Sequence, residues 1–331
     1  MTDTALASLS NGLVYAAMLT YAIAMVVFAA SLAARAPGRR PLAEPALGTS
    51  RRQGGVGVAV RDAPVPARSP VVQPAPGRRG GNIAMSLTWL ATLLVGAGLV
   101  ARGLSVGRVP WGNMYEFSVA SAFAISAAFL VLSLRRDLRW LGLLVVVPVL
   151  LTLGLAVTVL YTEAGQLVPA LNSYWLIIHV AAAIICAGTF CVGTALTVAY
   201  LVADTSERRV SRGSRFWGSG LARRLPPAQR LDAMAYRIHT FAFPLWTFAV
   251  VAGAIWAENA WGRYWGWDPK ETWAFITWVG YAAYLHARAT AGWKGRKAAV
   301  IALVAFAAFI INYFGVNIFL TGLHSYGGLP S

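Results

Sequence analysis

Cysteine is almost missing: the 331 residues contain two, Cys186 and Cys191. They stand five apart inside an apolar stretch, a spacing that suits neither a Cys-x-x-Cys redox pair nor a zinc site. Both are expected to pack as small buried hydrophobes. No Cys-x-x-Cys-His occurs, which excludes covalent c-type attachment of a cofactor to this chain. Acidic residues are scarce as well, 12 against 28 Lys and Arg, giving a net charge of +16. The start, residues 1–11, has no basic residue and does have Asp3, so a retained first span is expected rather than a cleaved signal peptide. No repeat of fixed period is visible, which argues against a transporter built from inverted halves.

What the chain has in excess is apolar surface. With 58% hydrophobic residues and a mean hydropathy of +0.60, it carries more than one soluble core could bury. Runs of about 18 or more apolar residues are long enough to cross a hydrocarbon layer roughly 30 Å thick. Eight candidates stand at 12–34, 82–101, 115–134, 139–161, 173–203, 238–257, 271–288 and 298–320. The fold expected is an all-α polytopic membrane protein of about eight transmembrane helices, with 173–203 tilted or extending past the bilayer.

The positive charge could suggest nucleic acid, so its distribution has to decide. Segments 35–81, 135–139, 204–237 and 288–297 hold 9, 3, 8 and 4 basic residues, 24 of the 28, and only Arg102, Arg108, Arg263 and Lys270 fall in the alternate connections. The positive-inside rule then puts the four basic connections in the cytoplasm and both termini outside. The charge encodes topology, and no nucleic-acid partner is expected. Residues 35–81, rich in Pro, Gly and Arg, read as a cytoplasmic linker between a first span in 1–34 and a seven-span domain, 82–331. A second basic loop, 204–237, is expected to hold a surface helix near 219–230, broken at Pro226-Pro227.

Six of the thirteen tryptophans fall between Trp256 and Trp278. The connection before the seventh span carries Trp261, Trp265, Trp267 and Trp273, interleaved with Gly262 and Gly266. An interfacial belt explains one or two indoles at a helix end; four in thirteen residues, with glycines that allow close approach to the backbone, favour a binding surface for a flat, polarisable ligand. Asp268, Pro269 and Glu271 have the spacing of N-cap, N1 and N3, a helix-start signature for the seventh span. Asn113 and Glu116 offer a similar cap for the third.

Four histidines complete the polar inventory, and ionisable groups in membrane segments are functional hypotheses by default. His179 lies about six residues, roughly 10 Å, into the fifth span, and His324 closes the eighth. Both belong to the level of the tryptophans, where two imidazoles from separate helices could ligate one haem iron. His286 lies about 18 residues, roughly 27 Å, beyond Asp268. It is too far for that site, and either ligates a second haem or bonds a carbonyl near Arg288. His239, after Arg237, reads as a residue of the cytoplasmic interface.

The pattern Trp261-Gly-x-x-Trp265-x-Trp267-Asp268-Pro269-x-Glu271-Thr-Trp273 resembles the WWD motif of haem-handling proteins. With Tyr174-Trp-Leu-Ile-Ile-His179, Tyr236-Arg237, Tyr284-Leu-His286 and Gly-Val-Asn317 through Gly-Leu-His324-Ser-Tyr, residues 82–328 are similar to the CcsA/ResC family of cytochrome c synthesis, labelled CcsB in some bacteria. The resemblance implies a haem lyase subunit of the bacterial plasma membrane. It would receive haem b from the cytoplasmic side, hold it outside and support thioether attachment to a Cys-x-x-Cys-His apocytochrome c. It implies that His179 and His324 are the external haem ligands and His286 a membrane-embedded one, whose mate comes from a ResB-type partner. His239 matches no family histidine. The resemblance also implies thioredoxin-like reductants as partners, the chain having no thiol pair suited to that work. Two other readings stay open on the residues alone: a b-type electron-transfer subunit with bis-His haem, and a haem exporter without attachment activity.

Overall fold

The computed structural model describes residues 3–34, 78–167, 171–212 and 224–324, and these contain helices and no strands. Eight long helices follow in chain order: α1 (Thr4–Ala34), α2 (Arg78–Val106), α3 (Met114–Arg135), α4 (Gly142–Thr158), α5 (Tyr174–Ser211), α6 (Ala228–Trp261), α7 (Pro269–Ala289) and α8 (Arg296–Ile310). A π-helical turn, Ile311–Gly315, carries α8 into a last short helix, α9 (Val316–Phe319). The eight long helices fall one for one on the eight apolar runs. Six, with α8 to α9 taken as one, are long and apolar enough to cross a membrane. The 17-residue α4 is shorter, and the 21-residue α7 carries Lys270, Glu271, His286 and Arg288 near its ends. The chain is an all-α polytopic membrane protein.

Two helices outrun the bilayer. At 1.5 Å per residue, α5 with 38 residues and α6 with 34 span roughly 57 and 51 Å. Their extensions pair with each other: the Glu207 carboxylate accepts from the Ala228 backbone N–H at 2.9 Å. The sixth helix therefore begins ten residues before its apolar run, directly after Pro226-Pro227. Residues 228–230 belong to this helix and not to a separate surface helix; 219–223 lie outside the described residues, as do 35–77 of the expected linker.

Outward-facing Leu19, Val26, Leu93, Val131 and Leu151 are all more than half exposed, a surface suited to lipid. Interfaces between helices are lined by small residues, among them Ala182, Ala183 and Ala187 of α5 and Ala242 and Ala249 of α6. That is the composition expected where lipid removes the hydrophobic drive and close packing must hold helices together. At Gly188 an added Cβ would sit 2.6 Å from the Ala124 carbonyl of α3. Larger side chains interlock deeper in, where Phe190 of α5 stacks on Tyr281 of α7 with centroids 4.1 Å apart.

Alternating direction brings both described ends of the chain to one end of the bundle. The Asp3 N–H donates to Ser105 at the end of α2 (2.9 Å), and His324 follows α9 there. The tryptophan-rich connection between α6 and α7 lies at this same end.

Candidate functional site

Helix α6 stops because Gly262 adopts a left-handed conformation (φ 69°) and its N–H closes on the Glu258 carbonyl. Helix α7 starts at the anticipated cap. The Asp268 carboxylate accepts from Lys270 N–H at 3.0 Å, Pro269 occupies the first turn, and Glu271 reaches back to the Asp268 N–H at 3.1 Å. Glu271 also accepts from Gly266 N–H at 2.8 Å and lies 3.4 Å from Arg263. One buried carboxylate thus fixes the path of the loop carrying Trp265 and Trp267. Trp267 has φ 59°, a left-handed conformation costly for a side chain of its size, and is 65% exposed.

Asp268 does more than cap. Its second oxygen accepts from Leu323 N–H at 2.8 Å, and His324 Nδ1 lies 2.9 Å from the first. The cap of α7 therefore also ties down the segment after α9. Burial alone would raise the Asp268 carboxyl, but these donors hold it down at about 2. Burial pushes His324 below its ordinary value, although the carboxylate opposes the shift. A neutral His324 beside an ionised carboxylate must carry its proton on Nδ1, which leaves the Nε2 lone pair free.

His179 is fixed in the same manner. Its Nδ1 lies 2.7 Å from the Ala249 carbonyl, which can only accept, so Nδ1 donates and Nε2 is again the bare nitrogen. The imidazole rests on Gly253 of α6, where a Cβ would come within 2.8 Å of the ring. Trp256 stands beside both histidines. It stacks parallel to His179 with centroids 6.3 Å apart and meets His324 edge-on at 5.7 Å. Trp261 packs edge-on against Trp256 at 4.8 Å and His324 at 4.9 Å.

His179 and His324 line one cavity, whose other walls include Trp111, Phe117, Trp246, Trp256, Tyr264 and Trp265. Trp111 is held by a buried charge cluster. Glu116 accepts from Arg102 at 3.1 Å, from Arg108 at 2.8 Å and from Gly112 N–H at 2.9 Å, and Asn113 caps α3 as its spacing predicts. The π turn and α9 supply the wall formed by Asn312, Tyr313 and Asn317. Lys270 enters beside them. Burial brings its ammonium down to about 8, with Asp268 resisting, so it stays mostly cationic at neutral pH.

The anticipated residues divide. Trp265, Glu271, His179 and His324 line the cavity. Trp261 and Asp268 support the histidines, and Pro269 shapes the cap. Trp267 faces outward, and Trp273 is half-buried without lining the cavity. His286 lies near the far end of α7, exposed on the helix surface. His239, placed by its sequence position at the inner start of the apolar run, is fully buried on Gly193, against Tyr281 and Tyr284 at 5.3 Å. Because α6 begins at Ala228, His239 is about three turns into the helix. Sequence reasoning missed the wedge role of Trp256 and the cavity roles of Trp111, Lys270, Asn312 and Asn317. Only Trp256, one turn before Trp261, carried a local signal.

Comparison with known proteins finds that the cytochrome c assembly protein family model matches residues 111–324. A cytochrome c biogenesis protein CcsA from Synechocystis sp. is 35% identical over 298 residues, covering 75% of this chain and 88% of the relative. One from Guillardia theta is 36% identical over 259 residues, covering 75% and 86%. Among solved structures, the fold is similar to that of the cytochrome c haem lyase CcmF, with a TM-score of 0.62 at 18% identity. That match takes in 99% of this chain, which spans about half the length of the larger structure, 48%.

Proposed function

Because the chain belongs to the cytochrome c assembly protein family, we propose that it is the haem-handling subunit of a cytochrome c synthase. Its substrate is haem b, held in the tryptophan-walled cavity with His179 and His324 as axial ligands. The observation that carries this reading is the matched fixing of the two imidazoles. Each commits Nδ1 to a fixed acceptor, Ala249 O or Asp268, and each turns toward one cavity with Nε2 unprotonated. Neutral imidazole with its other nitrogen hydrogen-bonded is how proteins present histidine to a metal.

The excess of Lys and Arg in the connections of the opposite end favours an orientation with the tryptophan-rich end outside the bacterial plasma membrane. There a Cys-x-x-Cys-His apocytochrome c can present its thiols to the vinyl groups of the bound substrate. Addition of a thiol across a vinyl group makes the thioether, and the chain contributes placement and exclusion of competing ligands. Thioredoxin-like reductants keep the apocytochrome thiols available. His286, exposed on α7 far from the cavity, suits a ligand to a second haem on the route from the cytoplasm, completed by a ResB-type subunit packed on that face.

The test is a complex of this chain with its ResB-type partner, purified and examined by absorption spectroscopy. A low-spin bis-histidine haem is expected, lost in His179→Ala and His324→Ala, with c-type haem missing from stained gels of the variant strains. Normal cytochrome c maturation in either variant would overturn the ligand assignment.

A further inference from the structure

We propose that Lys270 and Asn317 form a carboxylate-binding subsite in the cavity wall, which takes a propionate of the porphyrin substrate. The inference rests on the haem reading above and adds to it how the macrocycle is fixed in rotation. It begins from a lysine in an unfavourable place. Lys270 stands in the first turn of α7, between Pro269 and Glu271, where the helix dipole disfavours cations and where anions are the usual occupants. Local helix chemistry gives no reason for it.

Its partners give none either. The ammonium donates to the Asn317 side-chain oxygen at 2.8 Å, across 47 residues of sequence. A neutral amide satisfies one of three donors and leaves the charge unanswered. Both neighbouring carboxylates are otherwise engaged, Asp268 by His324 and two backbone N–H groups, Glu271 by Gly266, Asp268 N–H and Arg263. No carboxylate pairs with Lys270 among the described residues.

The surroundings point to an anion. Lys270 is the one Lys or Arg among the described residues lining the cavity, whose remaining walls are mainly aromatic and aliphatic. In such a medium an unpaired charge is costly, and a charge-assisted hydrogen bond correspondingly strong. The same cavity includes a buried donor with no hydrogen-bond partner, the Trp111 indole nitrogen. Asn312 sits in the π turn, a backbone irregularity frequent at functional sites. Asn317 is itself held, its amide donating to the Tyr313 carbonyl at 2.5 Å. One lysine with amides beside it matches a monoanionic carboxylate better than a phosphate, which calls for more positive charge.

The experiment titrates the purified full-length chain with ferric haem and with haem dimethyl ester, whose propionates are uncharged, following the Soret band. Wild type is expected to bind haem more tightly than the ester. Lys270→Gln should lose about tenfold in haem affinity, bind the ester as wild type does, and keep the bis-histidine spectrum. Lys270→Arg should recover most of the loss. The ester serves as the control for folding. Equal haem binding by wild type and Lys270→Gln would overturn the subsite while leaving the haem reading intact, as would an equal loss for both ligands. Wild type binding neither porphyrin would bring down the haem reading and the subsite with it.

Discussion

The Asp268 carboxylate caps α7 and in the same position holds Nδ1 of His324 at 2.9 Å. One side chain thus decides both where a helix begins and which nitrogen of a distant imidazole is bare.

Asparagine at 268 would preserve capping, since Asn caps as well as Asp, but would remove the charge behind the imidazole. Asp268→Asn is therefore expected to leave thermal stability within about 1 kcal/mol of wild type. Its haem affinity should drop roughly 10- to 100-fold. Haem titration beside a melting curve checks this; a fall in stability with unchanged haem affinity would make the contact purely structural.

Gly253 is the floor under His179, and the Cβ of an alanine would come within 2.8 Å of the ring. Gly253→Ala is expected to tilt the imidazole and convert the six-coordinate haem spectrum to a five-coordinate one. The packing cost should be about 1–3 kcal/mol. Retention of the wild-type spectrum would count against His179 as the ligand.

Glu116 is fully buried between Arg102, itself 2% exposed, and Arg108. Glu116→Gln leaves two guanidinium groups facing each other without a counter-charge. Such a loss costs about 3–5 kcal/mol. Melting temperature should fall, and quenching of tryptophan fluorescence by acrylamide should rise as the segment around Trp111 loosens.

Lys270 supplies a pH dependence of definite sign. Its folded value is lowered, so the cation is present below about 8 and lost above. The charged group acting on it is Asp268 from its own turn, whose carboxyl is held down at about 2. Glu271, His179, Tyr264, Tyr313 and His324 are the other titratable groups of the cavity wall, and His324 is shifted down, away from the range. Haem affinity should decline as pH rises from 7 to 9, while affinity for the dimethyl ester stays level. A parallel decline for both ligands would assign the effect to another group.

How much of this was legible in the chain depends on the range of the interaction. The apolar runs gave all eight long helices, because membrane insertion is decided by local composition. Asp268-Pro269-x-Glu271 gave the cap, since its members are neighbours in sequence. That His179 and His324 share one end of the bundle followed from their places near the ends of their apolar runs. Where α6 begins was hidden, because residues 228–237 are too polar to register as a span and extend the helix past the hydrocarbon. The burial of His239 against Tyr281 and Tyr284 was hidden too, because those rings come from another helix. The contact of Lys270 with Asn317 spans 47 residues and depends on how helices pack, and that of Glu116 with Arg102 depends on how the turn between α2 and α3 folds back.

The two histidines are mounted differently. His179 belongs to the second turn of a 38-residue helix and can move only if α5 moves. His324 rides on an irregular segment after α9, beside the exposed Phe319, Leu320 and Leu323, and is held by hydrogen bonds to one carboxylate and by the edges of Trp256 and Trp261. Opening that segment costs far less free energy than displacing a packed helix. Under the proposed function, His324 would be the haem ligand that yields first and His179 the one that stays, so that an incoming ligand would have one side, not two, from which to approach.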